Sequence, residues 1–370
     1  MFSSRSSTRQ KSWDAGRFLK TLNYFGELPF IGSFRWAQQM LGQRVSIPGQ
    51  MMTAFERRVV VIGDLPSEHL NQLKERLLSS ATVIVVNPDT LFSDVKSLIR
   101  SVDTVVLFGS KAFEFLNENT ESLAEVLSAA TVEQLVFDFS SSSSDLSVWG
   151  ALDDVVMGGV SEGGFALRSL ADDKVAQHAA FVGNVSTDNS GGFSSVRTKN
   201  FEPPFNFLGW TGMSLRVKGD AQRYKFILRD SGGWDSPAYI YSFDTIVDEW
   251  QDVYIPFKAM VPTFRAKSMP NAPELDPQKI FSFQLMLSKF EYDRKLNPNF
   301  SPGLFELAIA NIGVYKPRKS VPLIVVVDSN THEANVGLNS LSMDHQQVKV
   351  ADLTDSNAWI SAVSQALRER

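Results

Sequence analysis

Two hydrophobic rhythms alternate along the chain. Arg58-Val59-Val60-Val61-Ile62-Gly63, Thr82-Val83-Ile84-Val85-Val86 and Thr104-Val105-Val106-Leu107-Phe108-Gly109 are near-continuous apolar runs, ended by Gly or by Asn87-Pro88. Strands buried on both faces read this way, and they belong to parallel sheets covered by helices. Helical spacing lies between and after them, in Ser67 to Ser79 behind Pro66, in Leu91 to Ser101 and in Asn119 to Ala130. From Leu135 the rhythm changes. A serine run, Ser140 to Ser144, leads into short alternating segments separated by Gly, Pro, Asn and Asp as far as about Lys316. Leu215-Arg216-Val217-Lys218-Gly219-Asp220 and Tyr224-Lys225-Phe226-Ile227-Leu228-Arg229 alternate apolar and polar positions as half-buried strands do. Many such strands in succession predict an antiparallel sandwich or jelly roll.

After Pro317 the first rhythm returns. Pro322-Leu323-Ile324-Val325-Val326-Val327-Asp328 reads as a buried strand and Gln347 to Val350 as another. Asp355 to Arg370 suits a closing helix with Asp355 or Ser356 as its N-cap. Neither α/β part has enough strands for an open sheet alone. The expected architecture is therefore α/β plus all-β, a parallel sheet split by an inserted β-sandwich. The expected boundaries are 1–50 for an N-terminal arm, 51–134 for the first α/β part, 135–317 for the sandwich and 318–370 for the second α/β part.

The arm is aromatic and, in its first half, basic. Trp13, Phe18, Leu22 and Phe25 recur near helical spacing, with Lys11, Arg17 and Lys20 among them. Gly26 and Pro29 interrupt the pattern, and Phe34 to Leu41 fits a second short helix. Two readings stand. The arm packs on the protein's own body, or it docks on a membrane interface or client, since aromatics beside Lys and Arg suit the headgroup region. The docking set is Trp13, Arg17, Phe18, Lys20, Leu22, Phe25, Phe30, Phe34 and Trp36, with Lys11 and Arg35 nearby.

Composition narrows the function classes. The 370 residues carry a formal net charge of -5, so the bulk charge does not describe a DNA-binding surface, and RNA is not expected either. There is no Cys, which removes disulfides, thiolate zinc sites and a Cys nucleophile together. No apolar run reaches the roughly 18 residues that span a bilayer. The Ser- and Arg-rich start, Met1 to Lys11, lacks the apolar segment of a secretory signal. A soluble or peripheral protein is expected.

The familiar catalytic patterns fail on inspection. A nucleotide site should follow the first strand, where glycines let the backbone approach a pyrophosphate. The turn here is Gly63-Asp64-Leu65-Pro66-Ser67-Glu68, with a single glycine, a negative charge at Asp64 and an amide removed by Pro66. Tyr254-Ile255-Pro256-Phe257-Lys258 has the Tyr-x-x-x-Lys spacing of short-chain dehydrogenases, but Pro256 opposes the helix which that spacing requires. His69, His178, His332 and His345 are scattered, and no GxSxG elbow occurs. Asp153-Asp154 and Asp172-Asp173 are adjacent acid pairs, which a loop would have to turn together to hold a cation. No catalytic residue, metal site or cofactor is expected.

The informative run is Trp149-Gly150-Ala151-Leu152-Asp153-Asp154-Val155-Val156-Met157-Gly158-Gly159-Val160-Ser161. It continues in Phe181 to Ser186, in Asn189-Ser190-Gly191-Gly192-Phe193-Ser194-Ser195-Val196-Arg197, in Val217 to Asp220, Arg223 to Phe226, Trp250 to Val253 and Pro256-Phe257. These motifs, in this order, resemble the complex I intermediate-associated protein 30 (CIA30) family. The motif residues are Trp149, Asp153, Asp154, Met157, Gly158, Gly159, Ser161, Gly191, Gly192, Phe193 and Arg197. The glycine pairs provide freedom for tight bends. Arg197 is expected to fork onto Asp153 or Asp154. The set either holds the sandwich end together, the preferred reading, or forms a docking surface.

The resemblance implies a galactose-binding-like sandwich inside a degenerate, Rossmann-like scaffold. A similar layout occurs in plastid members of the family, where a CIA30 domain interrupts an atypical short-chain-dehydrogenase scaffold. It implies a non-enzymatic assembly factor, chaperone or scaffold, for a photosynthetic or respiratory membrane complex. Photosystem II stands first, then complex I or photosystem I. Its partners would be membrane-complex subunits or assembly intermediates, met peripherally on the cytoplasmic or stromal face of a thylakoid or plasma membrane. The alternatives are a translation-linked factor for the same subunits, a degenerate NAD(P)-dependent oxidoreductase and a carbohydrate-binding module.

Overall fold

The computed structural model describes residues 13–25, 57–77, 81–141, 144–169, 177–233, 236–264, 266–318, 323–328, 348–352 and 356–368. Elements are numbered along the chain. The chain divides into two compact units, one of residues 53–134 and 315–370, the other of residues 135–314 with the N-terminal segment up to 52.

Among the described residues the first unit is built on five parallel strands. They are β1 (Arg57–Gly63), β2 (Ala81–Val86), β3 (Thr104–Phe108), β17 (Leu323–Asp328) and β18 (Val348–Asp352), in the order β18-β17-β3-β1-β2. Strand β17 pairs directly with β3, from Leu323 beside Thr104 to Val327 beside Phe108. Two segments more than 200 residues apart in sequence thus share one sheet. The apolar runs work on both faces because side chains alternate along a strand. Val60, Ile62, Val105 and Leu107 join one buried cluster with Val95 and Ile99 of α3 (Phe92–Ser101) and with Leu123 and Val126 of α5 (Thr120–Ser128). Val59, Val61, Val106, Phe108, Val325 and Val327 join another with Leu73 and Leu77 of α2 (Ser67–Leu77) and with Trp359, Ile360 and Val363 of α6 (Ser356–Arg368). An additional helix, α4 (Ser110–Glu118), precedes α5 where the periodicity predicts one helix. Asp103 locks the sheet end, accepting the Arg58 amide at 2.8 Å and the Arg318 guanidinium at 2.6 Å.

The second unit is a two-sheet sandwich. Among the described residues one sheet has seven strands in the order β14 (Lys267–Ser268), β13 (Val261–Phe264), β11 (Ala238–Asp244), β10 (Arg223–Arg229), β15 (Ser282–Ser288), β8 (Phe193–Thr198) and β5 (Trp149–Ala151); the other has five in the order β12 (Trp250–Pro256), β9 (Gly212–Lys218), β16 (Gly303–Pro317), β7 (Gln177–Val185) and β6 (Glu162–Ser169), with β4 (Thr131–Asp138) paired to β16 as a sixth. The strands near the site are β5 (Trp149–Ala151), β6 (Glu162–Ser169), β7 (Gln177–Val185), β8 (Phe193–Thr198), β10 (Arg223–Arg229), β15 (Ser282–Ser288) and β16 (Gly303–Pro317). Neighbours β5 and β8, β8 and β15, β10 and β15, β6 and β7, and β7 and β16 run antiparallel. Inner-face aromatics fill the space between the sheets. Phe283 meets Phe137 at 5.3 Å, Phe205 at 5.5 Å and Phe201 at 6.1 Å between ring centroids. Replacing such a ring by alanine costs about 3–5 kcal/mol.

Helix α1 (Ala15–Phe25) packs on β5 and the turn after it, so the arm's first helix lies on the sandwich. Asp14 caps it, accepting the amides of Gly16 at 2.8 Å and Arg17 at 3.1 Å. Phe30, Phe34 and Trp36, with the second helix expected over Phe34 to Leu41, lie outside the described residues, as do Lys11, Arg35, Asp172, Asp173, His332, His345 and Asp355. Among the described residues no helix is long and apolar enough to cross a membrane.

Candidate functional site

The family-like motif forms one corner of the sandwich. After β5 the chain turns through a short 3-10 segment, Asp154–Met157, and enters β6 at Glu162. The loop from β7 to β8 lies against it. Two carboxylates, neighbours in sequence and both buried, organise the corner.

Asp154 is held entirely from within. Its Oδ1 accepts the Ser161 amide at 2.9 Å, and its Oδ2 accepts the Ser161 hydroxyl at 2.6 Å, the Gly192 amide at 2.8 Å and the Phe193 amide at 3.3 Å. The two glycine pairs are explained by this cage. Gly158 and Gly192 have φ of 91° and 134°, the left-handed region that glycine adopts freely. Gly159 and Gly191 have ordinary φ, but a Cβ on either would collide with the Asp154 carboxyl. One glycine of each pair bends the chain, and the other lets it approach the acid.

Asp153 looks the other way. Its Oδ1 accepts the Ser194 hydroxyl at 2.7 Å and the Ser195 amide at 3.2 Å. Its Oδ2 accepts the Gly163 amide at 3.0 Å and the Arg17 guanidinium at 2.9 Å. Burial raises the Asp153 carboxyl above its ordinary value, while the Ser194 hydroxyl, the Gly163 and Ser195 amides and Arg17 pull it back. Arg17 also donates to the Ser161 carbonyl at 3.0 Å and lies 3.5 Å from Glu162.

The expected partnership of Arg197 with these acids is corrected. Arg197 is buried and bonds Asn200 at 3.0 Å and Ser282 at 3.3 Å. In the register of β5 on β8, Arg197 faces Gly150. The acids come three to four residues after Gly150, Asp153 meeting Ser194 and Ser195 and Asp154 meeting Gly192 and Phe193, roughly 10 Å or more along the strand at about 3.3 Å per residue. The guanidinium that reaches Asp153 comes instead from α1. Arg17, expected among outward cations, is therefore turned inward.

The other motif and arm residues fall into place around this corner. Trp149 is buried against Phe165 at 4.9 Å and Phe137 at 5.3 Å, and it is core. Ser161 is buried, its hydroxyl also 3.2 Å from the Ser186 carbonyl. Phe193 contributes its amide and is half-buried. Met157 stands 71 % exposed at the tip of the turn. Trp13 donates its indole N–H to the Val155 carbonyl at 2.8 Å and packs against Phe18 at 5.7 Å. Lys20 is exposed, and Leu22 and Phe25 belong to α1. Tyr24, absent from the sequence-derived set, donates to the Ser147 carbonyl at 2.7 Å beneath the Lys199 ammonium, and burial with the Asp145 charge pushes its hydroxyl up to about 12. Its spacing of seven from Arg17, two helical turns, is the signal that would have found it.

At the dehydrogenase-like positions the geometry is structural. Gly63 has φ of 136°, and a Cβ there would meet the Phe108 carbonyl. The Leu65 amide is bonded to the Gly63 carbonyl at 3.0 Å. Tyr254 lies in β12 (Trp250–Pro256) and Lys258 in the 3-10 turn that follows. Among the described residues no three His, Asp or Glu side chains converge as a metal set would.

A sandwich whose corner is knotted around two buried acids matches a known sequence class. The profile of the complex I intermediate-associated protein 30 (CIA30) family matches residues 137–309. An uncharacterized protein of Schizosaccharomyces pombe is 32% identical over 191 residues, which is 49% of this chain and 82% of that protein. The chain belongs to the CIA30 family. Among solved structures, it is similar to a family 11 carbohydrate-binding module of a Clostridium thermocellum cellulosomal cellulase, at 17% identity and TM-score 0.36, over 52% of this chain and 95% of that one. It is also similar to an exo-β-agarase, at 13% identity and TM-score 0.32, over 51% of this chain and 26% of that one.

Proposed function

We propose that the chain is a non-catalytic assembly factor for a large photosynthetic or respiratory membrane complex, photosystem II first and complex I or photosystem I next. Family membership carries this reading, since the family is described by its association with an intermediate of complex I. The motif supports a binding role over a catalytic one. Both acids spend their oxygen atoms on hydrogen bonds within the chain, and a general acid or base needs a free path to substrate. The parallel sheet serves as a degenerate, Rossmann-like support, and the inserted sandwich, galactose-binding-like in kind, is the working module. The chain meets its clients peripherally, on the cytoplasmic or stromal face of a thylakoid or plasma membrane.

Two experiments test this. Affinity purification of the tagged chain from detergent-solubilised membranes, read by mass spectrometry, should enrich subunits of one complex in its partly assembled forms. Recovery of no such subunits above an untagged control would refute the assembly role. Calorimetric titration with NADH and NADPH should give no heat, and a micromolar Kd would restore the oxidoreductase reading.

A further inference from the structure

We infer that the motif corner is a docking site for a helical segment that carries a guanidinium and a phenol on one stripe and an indole just ahead of its N-cap, and that the segment from Trp13 through α1 occupies it as a releasable ligand supplied by the same chain. The inference does not depend on which complex the protein serves. Trp13, Arg17 and Tyr24 stand at spacings of four and seven. Arg17 and Tyr24 lie on α1 and, at about 100° per residue, fall within roughly 20° of each other, so they share one stripe, and Trp13 stands just ahead of the Asp14 cap. Each makes a polar contact to the sandwich: Trp13 with the Val155 carbonyl, Arg17 with Asp153 and the Ser161 carbonyl, Tyr24 with the Ser147 carbonyl.

The receiving side is shaped for this stripe. Gly150 lies under the Tyr24 ring, and a Cβ there would run into the ring carbons. Three further donors, from Ser194, Ser195 and Gly163, hold Asp153 in place without α1. The site therefore keeps its form when the helix leaves. Val155 and Ser161 offer carbonyls beside it, a set of acceptors suited to a planar, multiply donating cation.

The ligand side is lightly held. Helix α1 has 11 residues, too few to be stable alone in water. Leu19 of α1 is 62 % exposed, and Trp13 just ahead of it 44 % exposed, so part of the segment's apolar surface is left uncovered. The receptor residues all lie within 137–309, the span that defines the family, while α1 lies outside it. A partner helix with the same stripe would compete for the site, and α1 sets the threshold that it must exceed.

The test uses the full chain and a fluorescein-labelled synthetic peptide of residues 13–25. The double variant Arg17→Ala/Tyr24→Ala weakens α1 in place and leaves the receptor intact. By fluorescence anisotropy it should bind the labelled peptide at least about tenfold more tightly than the unaltered chain does, because the internal competitor has been weakened. A peptide with alanine in place of its arginine should lose that gain, and so should the double variant with Gly150→Val added. A folded double variant that binds no peptide, or binds the alanine peptide equally well, overturns the proposal. Unfolding of the double variant would also overturn it, since α1 would then be an integral part of the core. As a second measurement, Gly150→Val alone should speed amide exchange over 15–25 while the amides of Ser161 and Gly192 stay protected. Unchanged protection over 15–25 would count against the site.

Discussion

Two glycine-bearing turns of the molecule show how the same backbone donors acquire different uses. In the parallel-sheet unit, the turn after β1 keeps one glycine, Gly63, and its next free amide, from Leu65, bonds back to the Gly63 carbonyl. That donor is consumed locally, and Asp64 adds a charge that would repel a phosphate. In the sandwich, three backbone amides from Ser161, Gly192 and Phe193 converge on one point as an anion site would. The anion is the chain's own Asp154. The first turn spends a donor on its own backbone beside a carboxylate, and the second fills its anion cradle from within. Nearly continuous apolar burial holds the first region, and a satisfied polar cage organises a corner of the second.

The sharpest way to break this contrast is to remove one group from each region. Asp154→Ala strands three amides in a buried corner, the Ser161 hydroxyl keeping the Ser186 carbonyl, and about 3–5 kcal/mol of stability should be lost. Ile62→Val, in the buried strand of the parallel sheet, should cost about 1 kcal/mol. Urea unfolding monitored by fluorescence compares the two directly. A cost for Asp154→Ala no larger than that of Ile62→Val would mean that the cage is not what holds the corner.

The glycines refine the same comparison. Gly159→Ala and Gly191→Ala place a methyl group against the Asp154 carboxyl and should each cost about 1–3 kcal/mol through forced displacement. Gly164→Ala, two residues into β6, meets nothing within 4 Å and should change stability by less than about 1 kcal/mol. Equal thermal midpoints for all three variants would remove the close-approach explanation.

How much of this was legible in the sequence depends on how local the signal is. The parallel strands were readable because a strand buried on both faces is apolar at every position, as Val59 to Ile62 are. The sharing of one sheet by both α/β segments followed from each being short of strands. The helix read over Asn119 to Ala130 is α5, while the short α4 over Ser110–Glu118 was not read. Within the site, the motif's position was clear but its pairing was not. Arg197 was the nearest cation along the motif, yet the register of β5 on β8 carries it past the acids. The true partner, Arg17, is 136 residues from Asp153 in sequence. No periodicity connects the two, and only the seven-residue spacing of Arg17 and Tyr24 hints that this helix face is specific.

Arg17 gives a smaller effect with a distinctive pH dependence. Arg17→Ala removes a charge-assisted bond from a side chain that is 27% exposed, so about 1–2 kcal/mol should be lost near neutral pH. Burial holds the folded Asp153 carboxyl above its unfolded value, and losing Arg17 raises it further. For an acid shifted this way the folded state binds the proton more readily, so acidification through that window favours folding. The deficit of Arg17→Ala should therefore shrink as pH falls from neutral toward the carboxylate range. Denaturant midpoints at several pH values provide the check, and a deficit that grows on acidification would contradict the ion pair.

The smallest expected effect belongs to His178, on β7 of the sandwich. Its ring is buried, set edge-on to Trp250 at 5.8 Å, and its Nδ1 has no hydrogen-bond partner among the described residues. Burial, aided by Lys218 and Arg168 against the opposing Glu306, depresses its pKa below the ordinary histidine value. The unfolded chain therefore takes up a proton below about pH 6.5 while the folded chain resists, and stability falls as pH drops through that window. One group cannot contribute more than about 1.4 kcal/mol per pH unit. His178→Phe removes the titrating group and keeps an aromatic ring against Trp250. Its stability should lose less between pH 7 and 5.5 than that of the unaltered chain, with the two curves converging toward neutral pH. Parallel curves across that interval would show that His178 is not the group that responds, and the acid sensitivity of the sandwich would then have to be sought among its carboxylates.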